Sequence, residues 1–478
     1  MQREFRTGIL FTAIGQYSNI LIQLIINVVL SRILGASDFG IVAITQVFLI
    51  FFQMIVTAGM GPAIIQNKSL KSRDYGILFN YSAIFAAVLG VLFGFLGFAV
   101  SYIYKDKIYI ELFWLMALIV LAEGLNVVPN AMLAKEKRFK AINLRLLFSN
   151  LIGAVVGVIA ALMGAGVFAL VLSVVVPAII TLILNFFIVK IPFNTSFELS
   201  ALKKVWVFSK NQLIFSIINY FARNTDNMLI GRFLGAAPLG NYSKAYGLTV
   251  MPNTVFLGVI NPVLQPILSE HETNVELIKE TYLKVVKMLA IIGFPLTAFI
   301  ILNSKPIINL LFGGNWNAAV IPLVMLGLSI WSQMLNAATG AIFQSRNQTH
   351  VMLRANIIST IIIVIFTCVG VFTGNIATIA LLVSVAYMVS FFITNYMLMR
   401  FTLESNILSL LKILVKPIFL GVTSGLVLFF IEPFTNFHNI ILLILVRGIL
   451  WLITIIGFLA LTGEYKFVKD FVKNKEVR

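Results

Sequence analysis

The chain has 478 residues, of which 60% are hydrophobic and only 11% charged, against roughly 25% charged in an ordinary soluble protein. That excludes a soluble globular domain and leaves lipid as the medium facing most of the exterior. The single cysteine, Cys368, excludes an intramolecular disulfide, and His271, His350 and His438 are too scattered to form a catalytic or metal-binding group. No phosphate loop or nucleophile elbow is present, so a transporter without metal or cofactor is expected rather than an enzyme.

Runs without Asp, Glu, Lys or Arg that reach about 20 residues mark candidate membrane spans. In chain order, Thr7–Ser31, Phe39–Asn67 and Tyr75–Tyr104 hold one helix each, and Leu112–Ala134 holds a fourth around Glu123. Leu146–Val189 is long enough for two, with a tight turn at Gly164-Ala165-Gly166. Trp206–Gly231 and Pro238–Pro266 are the seventh and eighth, then Val286–Leu302 and Ala318–Phe343. Ala355–Met399 again holds two, turning at Thr373-Gly374-Asn375, and Leu414–Ile431 and Asn439–Leu461 bring the expected total to fourteen.

Placing the N-terminus and every even-numbered connection on one face gathers 27 of the 35 Lys and Arg residues there, Arg145 among them. By the positive-inside rule both termini are cytoplasmic. The formal charge of +17 is then a basic rim facing anionic membrane lipids, and no nucleic-acid partner is expected. Trp206, Trp316, Tyr102, Tyr104 and Tyr109 read as interfacial anchors.

The chain is internally duplicated. Ser31-Arg32-Ile33-Leu34-Gly35-Ala36-Ser37-Asp38-Phe39-Gly40 aligns with Gly231-Arg232-Phe233-Leu234-Gly235-Ala236-Ala237-Pro238-Leu239-Gly240 at an offset of 200. Pro62 pairs with Pro262 at the same offset, and Gly164 with Gly374 at 210. Six helices per copy make the repeats parallel. The expected domains are residues 1–200, with helices 1–6; residues 201–403, with helices 7–12; and residues 404–478, an added helix pair with a basic tail.

Charges within spans mark the candidate site. Arg223 and Asp226, three apart on the seventh helix, share a face, and Lys244 lies at similar depth on the eighth. A lone base at mid-membrane costs roughly 2.5–3.5 kcal/mol, and one acid against two bases leaves a positive, anion-binding wall. The alternative is a self-satisfied pair with Lys244 reaching to the outer interface. The first copy offers amides instead: Gln16, Asn19, Gln23 and Asn27 form one stripe on the first helix, suited to sugar hydroxyls or to helix association. Glu123 is a candidate proton site or a partner for a neighbouring base.

The segment Arg223-Asn224-Thr225-Asp226-Asn227-Met228-Leu229-Ile230-Gly231-Arg232-Phe233-Leu234-Gly235, continuing to Leu239-Gly240-Asn241-Tyr242, resembles the seventh-helix signature of the polysaccharide transporter family. That family is a branch of the multidrug/oligosaccharidyl-lipid/polysaccharide exporter superfamily. Gly59-Met60-Gly61-Pro62-Ala63-Ile64-Ile65-Gln66 and Pro129-Asn130-Ala131-Met132-Leu133-Ala134 ahead of Phe139 fit the same resemblance. It implies an all-α membrane protein with two lobes around a V-shaped cavity. The implied cargo is an undecaprenyl-diphosphate-linked oligosaccharide, flipped outward across the bacterial cytoplasmic membrane for O-antigen, capsule or exopolysaccharide assembly, beside a polysaccharide polymerase. Arg223, Asp226, Lys244, Asn224, Gln16, Gln23 and Asn27 would bind it, and Glu123 or Asp226 would couple an ion. The rival readings are a multidrug antiporter of the same superfamily and a lipid II flippase.

Overall fold

The computed structural model describes residues 2–57, 60–67, 70–190, 220, 224–435 and 437–472. Among the described residues it is helical throughout, with no strand. The first half runs α1 (Gln2–Ile33), α2 (Ala36–Thr57), α3 (Met60–Gln66), α4 (Ser72–Tyr104), α5 (Ile108–Lys135), α6 (Phe139–Leu162), α7 (Val167–Ile188) and α8 (residues 224–233). It continues with α9 (Ala236–Ser269), α10 (Val275–Leu302), α11 (Ser304–Leu311), α12 (Val320–Gly327), α13 (Ile330–Asn336) and α14 (Thr339–Ser345). The last five are α15 (Thr349–Phe372), α16 (Ile376–Met397), α17 (Ile407–Ile431), α18 (Ile440–Thr462) and α19 (Tyr465–Val472). Ten helices among the described residues are long and apolar enough to cross a membrane, and a bent pair makes eleven. The chain is a multi-pass membrane protein.

Punctuation read from the sequence is where the helices end. Gly164 and Gly166 at the α6–α7 turn, and Gly374 at the α15–α16 turn, have φ of 81°, 55° and 66°, a region open to glycine at little cost. Asparagines start four helices: Asn274, Asn375, Asn406 and Asn439 each accept a hydrogen bond from a first-turn backbone N–H of α10, α16, α17 and α18.

The expected continuous tenth span, Ala318–Phe343, is instead broken, with residues Gly314–Gly327 and Ile330–Ser345 meeting at 52°. Backbone groups freed by a break in a membrane need partners, and hydroxyls supply them. Ser329 Oγ donates to Leu326 O at 2.8 Å, Ser332 Oγ to Ser329 O at 2.8 Å, and Ser384 Oγ on α16 to Met325 O at 2.6 Å. Two expected anchors are also corrected: Trp316 and Tyr109 are buried in packing, whereas Tyr102 is 86% exposed. Trp206 lies outside the described residues.

Two compact units are present, Met1–Gly240 and Asn241–Arg478. In the first, α4 packs on α5, α6 on α7, α5 on α7 and α1 on α6. In the second, α10 packs on α13, α15 on α16, and α12 and α13 on α16, which repeat the first three of these pairings. Within the first unit, a Cβ on Gly40 would overlap the Ala236 carbonyl, and one on Gly240 would overlap the Ala36 carbonyl. The two copies of the repeated loop therefore start their helices α2 and α9 in reciprocal backbone contact, which requires glycine at both positions.

The last helix pair is packed onto the second unit. Gly421 of α17 sits against Phe294 of α10 with no room for a Cβ, and Trp451 Nε1 of α18 donates to Pro295 O at 3.1 Å. Arg447, buried on α18, donates to Asn303 Oδ1 at 3.1 Å and to Thr435 Oγ1 at 3.0 Å.

Candidate functional site

Lys244 lies two turns into α9 and is 6% exposed. Its ammonium stands over two rings, 4.7 Å from the Phe312 centroid and 5.2 Å from that of Trp316. Each such contact is worth roughly 0.5–1 kcal/mol at an exposed site and about 2 kcal/mol when desolvated, which offsets part of the cost of burying a base.

Asp226 is buried on α8 in the first unit, where its Oδ1 accepts from the Asn227 backbone N–H at 2.8 Å. Asn224 Nδ2 donates to Tyr220 O at 3.0 Å. This segment is tied to the first unit at two points: the Tyr220 hydroxyl donates to Val47 O of α2, and the Tyr104 hydroxyl to Met228 O at 3.2 Å. Arg223 and the Gln16 side chain lie outside the described residues.

The amide stripe divides. Asn19 Oδ1 accepts from Asn150 Nδ2 of α6 at 3.0 Å and so joins two helices. Gln23 and Asn27 are exposed on α1. Asn19 thus joins two helices, and Asn27 Oδ1 accepts from Ser31 Oγ of its own helix at 3.5 Å.

Arg145, expected on the cytoplasmic rim, is instead 4% exposed within α6. It donates to Asn185 Oδ1 of α7, and Asn185 Nδ2 donates to Asn126 Oδ1 at 2.5 Å and Asn130 Oδ1 at 3.1 Å on α5. Glu123, one turn from Asn126, interacts electrostatically with Arg145. Arg145 was misplaced because it sits at the start of an apolar run, where a base ordinarily reaches water. The signal that could have found the network is the 210 offset, which matches Asn126 to Asn336 and Asn185 to Asn395, as it matches Glu123 to Gln333 and Arg145 to Ala355. The charges in the first unit are both replaced by neutral residues in the second.

Among the described residues, no three of His, Cys, Asp and Glu gather where a metal ion could be held. Lys244, buried on α9 in the second unit, is a base beside two ring faces, whereas Arg145, buried on α6 in the first unit, is already engaged by Asn185 and Glu123.

The chain is 24% identical over 429 residues to the teichuronic acid biosynthesis protein TuaB of Bacillus subtilis (strain 168), covering 89% of both chains. It is 22% identical to the lipopolysaccharide biosynthesis protein WzxC of Escherichia coli (strain K12), over 76% of this chain and 74% of that one. The fold is similar to the lipid II flippase MurJ in an inward closed conformation, with a TM-score of 0.73 at 14% identity, covering 97% of this chain and all of that one. An inward-facing multidrug resistance transporter of the MATE family and MOP superfamily matches with a TM-score of 0.59 at 18% identity, over 82% of this chain and 96% of that one. The family model described as polysaccharide biosynthesis protein matches residues 29–321, more than half of this helical membrane chain, and the chain belongs to that family.

Proposed function

We propose that the chain is a flippase that carries undecaprenyl-diphosphate-linked oligosaccharide repeat units from the cytoplasmic to the outer leaflet of the bacterial cytoplasmic membrane. The observation that carries this reading is Lys244, a buried base on α9 of a membrane-spanning chain in the polysaccharide biosynthesis family. A diphosphate needs a cation, which Lys244 and Arg223 supply. The sugars need donors and acceptors together, which Gln16, Gln23, Asn27 and Asn224 supply. The polyprenyl tail stays in lipid. Movement alternates between two lobes, and an interior-negative potential favours outward passage of an anion by about 2.3 kcal/mol per charge per 100 mV. Of the two acids considered for ion coupling, Asp226 is the better suited, because Glu123 faces Arg145.

The product would feed a polysaccharide polymerase at the outer leaflet, for O-antigen, capsule or exopolysaccharide. Deleting the gene tests the reading. Mass spectrometry should find undecaprenyl-linked oligosaccharide accumulating and accessible only from the cytoplasmic side. Altered drug susceptibility with no such lipid would point to a multidrug antiporter instead, and accumulation of lipid II would point to a lipid II flippase.

A further inference from the structure

The two copies of the repeat part company after their third long helix. In the first copy, Tyr104 closes α4 and Ile108 opens α5. In the second, Leu302 closes α10 and α12 opens at Val320, with α11 and the turn Gly314–Ala319 between them. Matched helix ends stand 198 residues apart at Tyr104 and Leu302 but 210 apart at Lys135 and Ser345, so a dozen residues are extra. Phe312 and Trp316 lie in this added stretch, both buried, their rings in tilted contact at 6.0 Å. They are the rings beneath Lys244. The first-copy counterpart of Lys244 is Ile44, so cation and insertion occur together in one copy.

A ring face attracts a cation through its quadrupole, which falls off faster with distance than a full charge does and leaves the cation's charge in place. A phosphate oxygen meeting the same ammonium makes a charge-assisted hydrogen bond, the stronger of the two interactions. We infer that Phe312 and Trp316 are positioning residues, an aromatic seat that holds the Lys244 ammonium within the span and yields it to the phosphate groups of the cargo. The identity of that anion rests on the flippase reading above; the seat itself does not.

Graded fluorination of Phe312, replacing it with mono-, di- and trifluorophenylalanine, drains the ring face of negative charge at nearly constant shape. Two readouts follow the series. In purified full-length protein, acetylation of Lys244 by acetic anhydride, read by peptide mass spectrometry, should rise about threefold or more, because a weaker ring face leaves more free amine. In cells, surface polysaccharide should fall in step at constant protein level. An acetylation rate that stays flat overturns the seat. A rising rate with unchanged export, where Lys244→Gln blocks export, overturns the positioning role. Export that survives Lys244→Gln removes Lys244 from the flippase reading, while the acetylation series still decides whether the seat exists.

Discussion

Asn185 and Asn395 stand 210 residues apart in the sequence and make the same hydrogen bond. Each donates its side-chain amide to an asparagine 59 residues upstream, Asn185 to Asn126 at 2.5 Å and Asn395 to Asn336 at 3.0 Å. Each acceptor role is taken by a different donor: Arg145 bonds to Asn185 Oδ1 and the Tyr282 hydroxyl to Asn395 Oδ1. The duplication has kept the amide pair and changed what caps it.

The two caps predict unequal costs. Asn395→Ala should destabilise the protein by about 1 kcal/mol, the usual net worth of a neutral hydrogen bond. Asn185→Ala strips a buried guanidinium of a partner and should cost about 2–3 kcal/mol. Thermal unfolding of both variants in detergent measures the difference; equal shifts would show that the charge on Arg145 adds nothing.

Glu123 and Arg145 should behave as a unit. Arg145→Gln leaves Glu123 facing no compensating charge, so its folded yield should drop, and adding Glu123→Gln should restore it. Export by the double variant, measured as surface polysaccharide, should approach wild type. Folded but inactive double variants would return Glu123 to the ion-coupling role.

Loss of the last two helices should not be silent. Helices outside the repeat read as an addition to the transport core, but α17 and α18 hold α10 through Gly421, Trp451 and Arg447. Truncation after Arg400 should therefore give markedly less monodisperse protein than the full chain, by size-exclusion chromatography of a fluorescent fusion.

Glu464, just beyond α18, bridges Lys287 at 2.6 Å and Lys416 at 2.7 Å. Burial pushes its carboxyl up, but the hydrogen bonds and charges of the two lysines outweigh that and hold it below its usual value. A depressed folded pKa contributes stability above the ordinary carboxylate range and loses it as pH falls through the folded value. Glu464→Gln should cost about 1 kcal/mol at neutral pH, modest because Lys416 is largely exposed. The gap from wild type should close in acid; a gap independent of pH would mean that packing, not charge, is lost.

Much of this was legible in the chain. Charge-free runs coincide with the ten long apolar helices among the described residues, most of the seventh run, Trp206–Gly231, lying outside them, and Gly164 and Gly374 mark two turns because only backbone conformation is at stake there. The repeated loop was visible, and Gly40 and Gly240 explain why: carbonyls of the opposite copy leave no space for a side chain. The bend near Ser329 was hidden because hydroxyls that satisfy a broken helix look the same as hydroxyls in an unbroken one. Trp316 and Arg145 were misread for a shared reason. Position along a span suggested an interface, but what buries them are residues distant in sequence, Lys244 and Asn185.

The most direct test of the central claim is transport by the purified protein. Full-length chain is reconstituted into liposomes carrying fluorescently tagged undecaprenyl-diphosphate oligosaccharide, and the fraction exposed to a membrane-impermeant quencher is followed over time. Transbilayer movement should run well above that in protein-free liposomes, be strongly reduced by Lys244→Gln and be retained in part by Lys244→Arg. Movement no faster than in protein-free liposomes, or movement unaffected by Lys244→Gln, would contradict that claim.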